Sequence, residues 1–394
     1  MAKERPLADR AMKRDGVTWY CYLMLGFFTY LLNIQGNIIP FLKSELDLSY
    51  RAVGLHSSAI AAGMIVVGLF GDRVTRRLGR RRTLLLSGGG ASIGAILLSL
   101  APAAWASIAS CALIGICGAL IPSMVPAILA DRHGDRRDVA ITEATGASYV
   151  FAIAAPLVTS LAISLTLGWR SAVLVGAAMG AAILLRYNRL PVIEPMRTAA
   201  STMAPLPPAY WAYWLLVAIA VALEYCILLW APTFLEVVNG LPPAIAARAT
   251  VSFSVAMLVG RLAGGAWFRF MSSERLFLAA LLVTGAGFLM YWGLSEPLVA
   301  VAGLFVLGLG IALLFPLAIG FAISAAGAQS ARANARIMVA VGLALLSMPI
   351  LLGGLADEVG LRVAHLLVPG LAACALACFV VSHQLQRRAV RAAS

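Results

Sequence analysis

Residues 68–82 read GLFGDRVTRRLGRRR, and they sit between two apolar runs that are each long enough to cross a bilayer. The stretch holds one Asp and six Arg in a chain of which only 12% is charged. Hydrocarbon does not accept that density of charge. The stretch therefore reads as a short loop at a membrane face, with a spanning helix on either side. Hydrophobic residues make up 61% of the 394 positions, far above the roughly 45–50% usual in soluble domains. At about 20 apolar residues per crossing, room exists for some twelve spans.

Working outward from that loop, apolar runs bounded by charges or turn residues place spans at 17–39, 52–71, 83–101, 104–130, 139–162 and 170–188. A second set follows at 209–232, 244–268, 275–294, 297–325, 333–355 and 361–383. Lipid requires a backbone that satisfies its own hydrogen bonds, so these are helices and the fold class is an all-α membrane protein. The interval 189–208 contains Pro191, Pro195, Pro205, Pro207 and Pro208. Proline at that density opposes a helix, so the interval reads as a linker between six-helix bundles at 17–188 and 209–383. Short tails, 1–16 and 384–394, remain at the ends.

The net charge of +13 does not point to nucleic acid. With the N-terminus inside, 24 of the 30 Lys and Arg fall on inner segments and five on outer loops, and Arg261 lies within a span. That asymmetry predicts cytoplasmic termini. The six cysteines, Cys21, Cys111, Cys117, Cys226, Cys374 and Cys378, fall inside apolar runs without a CxxC pair and read as packing residues. The charged N-terminus lacks a cleavable leader pattern.

The two sets of spans echo each other. Pro40 and Pro232 end spans 1 and 7, and Gly168-Trp169-Arg170 opens span 6 as Gly360-Leu361-Arg362 opens span 12. Gly264 to Arg269 is a degraded copy of Gly68 to Arg73, with Phe268 in place of the Asp. Together with the pattern Gly68-x-x-x-Asp72-Arg73-x-x-Arg76-Arg77, this resembles the major facilitator superfamily (MFS) of secondary transporters, whose loop between helices 2 and 3 carries that pattern. Thr75 departs from it, standing where the family usually has Gly. The resemblance covers essentially the whole chain. It implies twelve helices in two pseudo-symmetric six-helix bundles that rock about a central site.

The resemblance also implies a gate made of Gly68, Asp72, Arg73, Arg76 and Arg77, in which Asp72 braces helix ends of the opposite half. Arg80, Arg81 and Arg82 read as topology determinants. The mixed-charge stretch Asp131 to Asp138 reads as a solvated loop, and Glu143 just beyond it either snorkels to the interface or joins the gate.

An ionisable group at membrane depth is costly and marks function by default. Glu224 in span 7 is such a group, with no Lys or Arg within one turn on its own helix. Burial disfavours its charged form, which suits a residue that loads and releases protons. Its surroundings, ending W-A-P-T-F-L, are similar to helix 7 of sugar-permease-like MFS members. Arg261 in span 8 offers a planar fork for a carboxylate. Its position resembles the helix 8 arginine with which oxalate and monocarboxylate carriers hold their substrates. Tyr30, Asn33 and Asn37 form one stripe on span 1, expected to face the central cavity, with Gln35 off it. Tyr149 and Tyr225 are further candidates for substrate contact, and His56 and His365 read as wetted structural groups near outer span ends.

No phosphate-binding loop, metal-spaced ligand set or catalytic triad is apparent, so no enzyme, cofactor or metal is expected. A channel, a receptor and a scaffold fit less well than alternating access. The expected function is a monomeric, proton-coupled carrier in a bacterial inner membrane, moving a small organic anion. A hydrophobic-drug exporter and a sugar-like solute permease are the alternatives.

Overall fold

The computed structural model describes residues 14–134, 137–187, 189–190, 206–267, 271–293, 296–326 and 330–393. Most of the expected N-terminal tail, the proline-rich part of the linker and the end of the degraded second-half copy, Phe268 and Arg269 included, lie outside those residues. The described chain is helical, and twelve of its helical stretches are long and apolar enough to cross a membrane. Spans 1 to 6 are Gly16–Glu45, Tyr50–Gly71, Arg80–Leu100, Ala104–His133, Ala140–Ser164 and Gly168–Tyr187. Spans 7 to 12 are Pro208–Val237, Pro243–Ala263, Ser273–Gly293, Pro297–Ala326, Arg336–Val359 and Leu361–Gln386. Leu185, Leu298, Leu282 and Trp105 are each more than 70% exposed on the outer surface. Side chains of that size suit contact with lipid tails rather than water.

Four boundaries differ from the sequence-based expectation. Pro40 and Pro232 lie inside spans 1 and 7, which continue beyond them to Glu45 and Val237. Proline removes one hydrogen bond without ending a helix that neighbouring helices hold on all sides. The loop at 68–82 is also shorter than expected. Helix continues from Tyr50 to Leu78, breaks at Gly79 with φ 79°, and resumes at Arg80. Only a residue without a Cβ takes that φ at no steric cost. The final helix runs to Ala393, so the expected C-terminal tail is helical.

The buried core forms two main clusters, one within spans 1–6 and one of spans 7–12 that Ile39 and Val53 of the first half join, and a small third cluster of Ala61, Val221, Ala222, Ala344 and Leu345 bridges the halves. The internal echo reappears as matched hydrogen bonding. Gly168 and Gly360 both have positive φ, 75° and 82°, at the start of spans 6 and 12. Arg170 Nε then donates to Ser99 O at the end of span 3, at 2.8 Å. Arg362 Nη2 donates to Trp292 O at the end of span 9, at 3.5 Å, while Trp292 Nε1 returns a bond to Arg362 O at 2.7 Å.

Where the halves meet, they do so closely at the end away from the chain termini. Asp357, late in span 11, accepts from Tyr50 N and Arg51 N at the start of span 2, at 2.7 and 2.8 Å. Ser58 donates to Leu346 O at 2.6 Å. Gly36, Gly54 and Gly353 let backbones touch across the same seam. A Cβ at Gly36 would fall 2.6 Å from Leu228 O, and one at Gly54 would fall 2.4 Å from Pro349 O.

Candidate functional site

Span 7 runs along the seam between the halves, and Glu224 lies near its midpoint. Its partner comes from span 8. Arg261 Nη2 reaches both carboxylate oxygens, Oε2 at 3.1 Å and Oε1 at 3.3 Å. The pair is partly covered, with side chains 20% and 26% exposed for Glu224 and Arg261. Neither residue has a charged neighbour on its own helix that would announce this contact, since 37 positions separate the two in sequence. One terminal nitrogen serves both oxygens, so the two-pronged fork of a guanidinium is only partly used. Arg261 Nε is buried without a partner. Tyr149 of span 5 lays its ring against the guanidinium, 4.9 Å from centroid to Cζ. The contact joins the halves, and a cation over an aromatic face is attracted to it.

Two cavities open beside this pair. One small cavity is walled by Asn33 and Asn37 of span 1, Ile227 and Leu228 of span 7, and Thr250 and Ser254 of span 8. Asn37 Nδ2 donates to Asn33 O at 3.1 Å, and its Oδ1 accepts from Thr250 Oγ1 at 3.3 Å. The other is walled by Gln35, Gly36, Ser57, Tyr225 and Leu228 among others. Leu228 borders both and lies one turn, about 6 Å, beyond Glu224. The two cavities and the ion pair therefore share one face of span 7.

Tyr30 is a correction. The stripe it was expected to share with Asn33 and Asn37 does not carry it into either cavity. Its hydroxyl donates to Ala172 O of span 6 at 2.7 Å, and its ring packs against Gly176 within the first half. A tyrosine that finds a free carbonyl inside a helix pair gains burial and a satisfied hydroxyl together. Gln35 is the converse case, set aside by the stripe but present at a cavity wall. The signal was available: span 1 is wedged between both halves, so an amide on either of its faces meets protein rather than lipid.

Glu143 binds within its own half. It accepts from Arg14 at 2.6 and 2.9 Å and from Tyr22 at 3.0 Å. Of the expected gate, Gly68 faces open space, Arg73 is exposed with its guanidinium 5.5 Å from the Phe70 ring, and Arg76 and Arg77 are exposed. Asp72 lies on the helix, and its side chain is outside the described ones. Arg80 does more than mark topology. It is 5% exposed and pairs with Asp131 at 2.7 Å, tying span 3 to span 4. His56 and His365 are buried rather than wetted, and His56 Nε2 meets Ser107 Oγ at 2.8 Å.

The geometry is that of a helical carrier, and comparison with known proteins agrees. The chain superposes on a bacterial homologue of the human lysosomal transporter Spinster in an inward-facing, occupied conformation, with TM-score 0.72 and 15% identity. That match covers 95% of this chain and 96% of the other. It also superposes on the nucleoside transporter NupG, with TM-score 0.74 and 13% identity over 94% and 98% of the two chains. A D-xylose–proton symporter matches with TM-score 0.70 and 14% identity over 94% and 96%. Likeness at such identities shows the fold. In sequence, the multidrug efflux pump LfrA of Mycolicibacterium smegmatis is 28% identical over 135 residues, which take in 31% of this chain and 26% of that protein. The family model of the Major Facilitator Superfamily matches residues 18–329, and the chain belongs to that superfamily of multi-pass membrane transporters.

Proposed function

We propose that this secondary transporter carries small organic anions and couples their movement to protons through Glu224 and Arg261. The observation that carries the reading is the Glu224–Arg261 pair, held by one guanidinium nitrogen with Nε left unpartnered. While Glu224 is ionised it occupies Arg261. A proton on Glu224 ends that attraction and frees the guanidinium for a carboxylate of the solute. Separating two partly buried charges without compensation is expensive, so proton and anion replace each other at one place. Tyr149 reports the exchange to the other half, because its ring lies on the guanidinium.

With the termini in the cytoplasm of a bacterial inner-membrane protein, the closed seam at Tyr50 and Asp357 would be the outer gate. The 68–77 stretch would then brace the halves in the alternate, outward-open state, with Asp72 as its central acid.

The test uses purified protein in proteoliposomes. Glu224→Gln is expected to lose uphill accumulation driven by a pH gradient while keeping solute exchange. Intact uphill transport in that variant removes Glu224 from the coupling role. Arg261→Ala is expected to abolish stabilisation of the purified protein by carboxylates, read as a thermal shift.

A second reading, export of hydrophobic compounds, is favoured by the likeness to an efflux pump and by the apolar share of the cavity walls. Stabilisation by tetraphenylphosphonium that persists in Arg261→Ala, with no response to carboxylates, would select it.

A further inference from the structure

We propose that Gln35 and Ser57 form a hydrogen-bonding subsite for a second polar group of the solute, so that the transported anion is a hydroxy acid or dicarboxylate rather than a simple monocarboxylate. The inference rests on the anion reading for the solute's first group, which Arg261 takes. Its own support is separate. Gln35 is 6% exposed, and its Nε2 has no hydrogen-bond partner. Ser57 Oγ, on span 2, is buried and equally without one. Both residues wall the same small cavity.

The amide's orientation is set. Cys111 Sγ lies 3.9 Å from Gln35 Oε1, and the thiol donates to that oxygen. That leaves Nε2, the donor, without a partner. Leaving a buried amide donor unpaired is costly, and an apolar side chain of the same length would avoid that cost. Two such groups, from two helices, on one otherwise apolar wall make a site that is completed by a ligand. Gly36 brings spans 1 and 7 into backbone contact beside it. Leu228, one turn beyond Glu224, forms part of the same wall. On this proposal a solute whose carboxylate Arg261 holds places its second polar group at Gln35 and Ser57. Acceptor groups meet the Gln35 N–H, and the Ser57 hydroxyl donates or accepts as the ligand requires.

The experiment measures binding of acetate, propionate, lactate and malonate to the purified full-length protein. Variants are Gln35→Met, which keeps the length and removes the amide, and Ser57→Ala. In the wild type, malonate and lactate are expected to bind more tightly than acetate and propionate. Gln35→Met is expected to weaken malonate and lactate about tenfold, in line with one hydrogen bond lost from a buried site, and to leave acetate and propionate unchanged. Its ligand-free thermal midpoint should hold or rise, since the unpaired donor is gone. Ser57→Ala should show the same selectivity loss and carries the test if Gln35→Met does not fold.

Malonate binding that both variants leave at the wild-type level overturns the subsite and leaves the anion reading standing. Malonate binding that survives Arg261→Ala but falls in Gln35→Met supports the subsite and overturns the role of Arg261. No binding by any of the four acids overturns both.

Discussion

Asp15 stands one residue before span 1 and ties the start of the chain to spans 1 and 4. Its Oδ1 accepts from Thr18 N at 2.9 Å and from Thr18 Oγ1 at 2.8 Å, while Oδ2 takes Nε of Arg132 at 2.8 Å. Withdrawal from water pushes such a carboxyl upward, but the bonds from Thr18 and the Arg132 guanidinium outweigh it and hold Asp15 below its ordinary 3.8. A depressed value in the folded state means stabilisation that is complete above the unfolded pKa and lost as pH falls through the folded one. Asp15→Ala is therefore expected to lower the thermal midpoint at neutral pH, by an amount matching about 1 kcal/mol for a lost helix cap. It should also flatten the loss of midpoint as pH falls below about 4. Thermal unfolding in detergent across that range checks it; equal acid sensitivity in both proteins would remove Asp15 from the account. This contact was not legible in the sequence. Nor was the one between Glu143 and Arg14, which lie 129 positions apart. A charge near a span end announces that it needs a partner, and nothing local says whether the partner is water, lipid headgroup or a distant arginine.

Elements were far more legible than contacts, because spanning a bilayer constrains length and composition together. Breakers are the poorer guide: Pro40 and Pro232 read as span ends, yet each is followed by more helix. Gly79 alone performs the turn that a fifteen-residue stretch was expected to make. Positive φ at Gly168 and Gly360 gives the repeat seen in sequence a backbone meaning, since both glycines release a chain that must turn back into the membrane. One element is completed across the seam. The first turn of span 2 has Ser49 as its own cap, accepting from Ala52 N at 3.1 Å, and borrows Asp357 of span 11 for the amides of Tyr50 and Arg51. A cap is worth about 1 kcal/mol, a factor of about five in a two-state ratio. Because this cap exists only while the two halves touch there, the energy is assigned to that closed arrangement. Asp357→Ala should speed hydrogen exchange at Tyr50 and Arg51 about fivefold and leave the inner ends of spans 1 and 5 unchanged. Exchange at Tyr50 and Arg51 at the wild-type rate would show the cap to be energetically idle.

At the scale of the whole molecule, two bodies of helices meet through backbone, and glycine decides how closely. Composition and repeat made both bodies legible. The seam was not, because Gly54 and Pro349, or Gly353 and Tyr50, lie about three hundred positions apart and neither pair has a polar or charge signature. A methyl group at Gly54 would sit 2.4 Å from Pro349 O, and one at Gly353 would sit 2.5 Å from Tyr50 O. Contacts that short against backbone force a displacement costing about 1–3 kcal/mol. Between rigid bodies the displacement is a rotation apart rather than a local repacking. Gly115 supplies the control. Its Cβ would meet Ile60 O at 2.3 Å, but spans 2 and 4 belong to one body that does not come apart in transport. Gly54→Ala and Gly353→Ala should thus open the end away from the termini, raising hydrogen exchange across residues 47–53 and 353–359 about tenfold with little change in thermal midpoint. Gly115→Ala should lower the midpoint by several degrees and leave that exchange pattern in place. If Gly54→Ala instead behaves like Gly115→Ala, the seam is part of a single fixed core and the two bodies do not separate along it. If it opens as expected, how closely bare backbone can approach is one determinant of the equilibrium between the carrier's two faces, the same equilibrium on which the proposed function has the Glu224–Arg261 pair act.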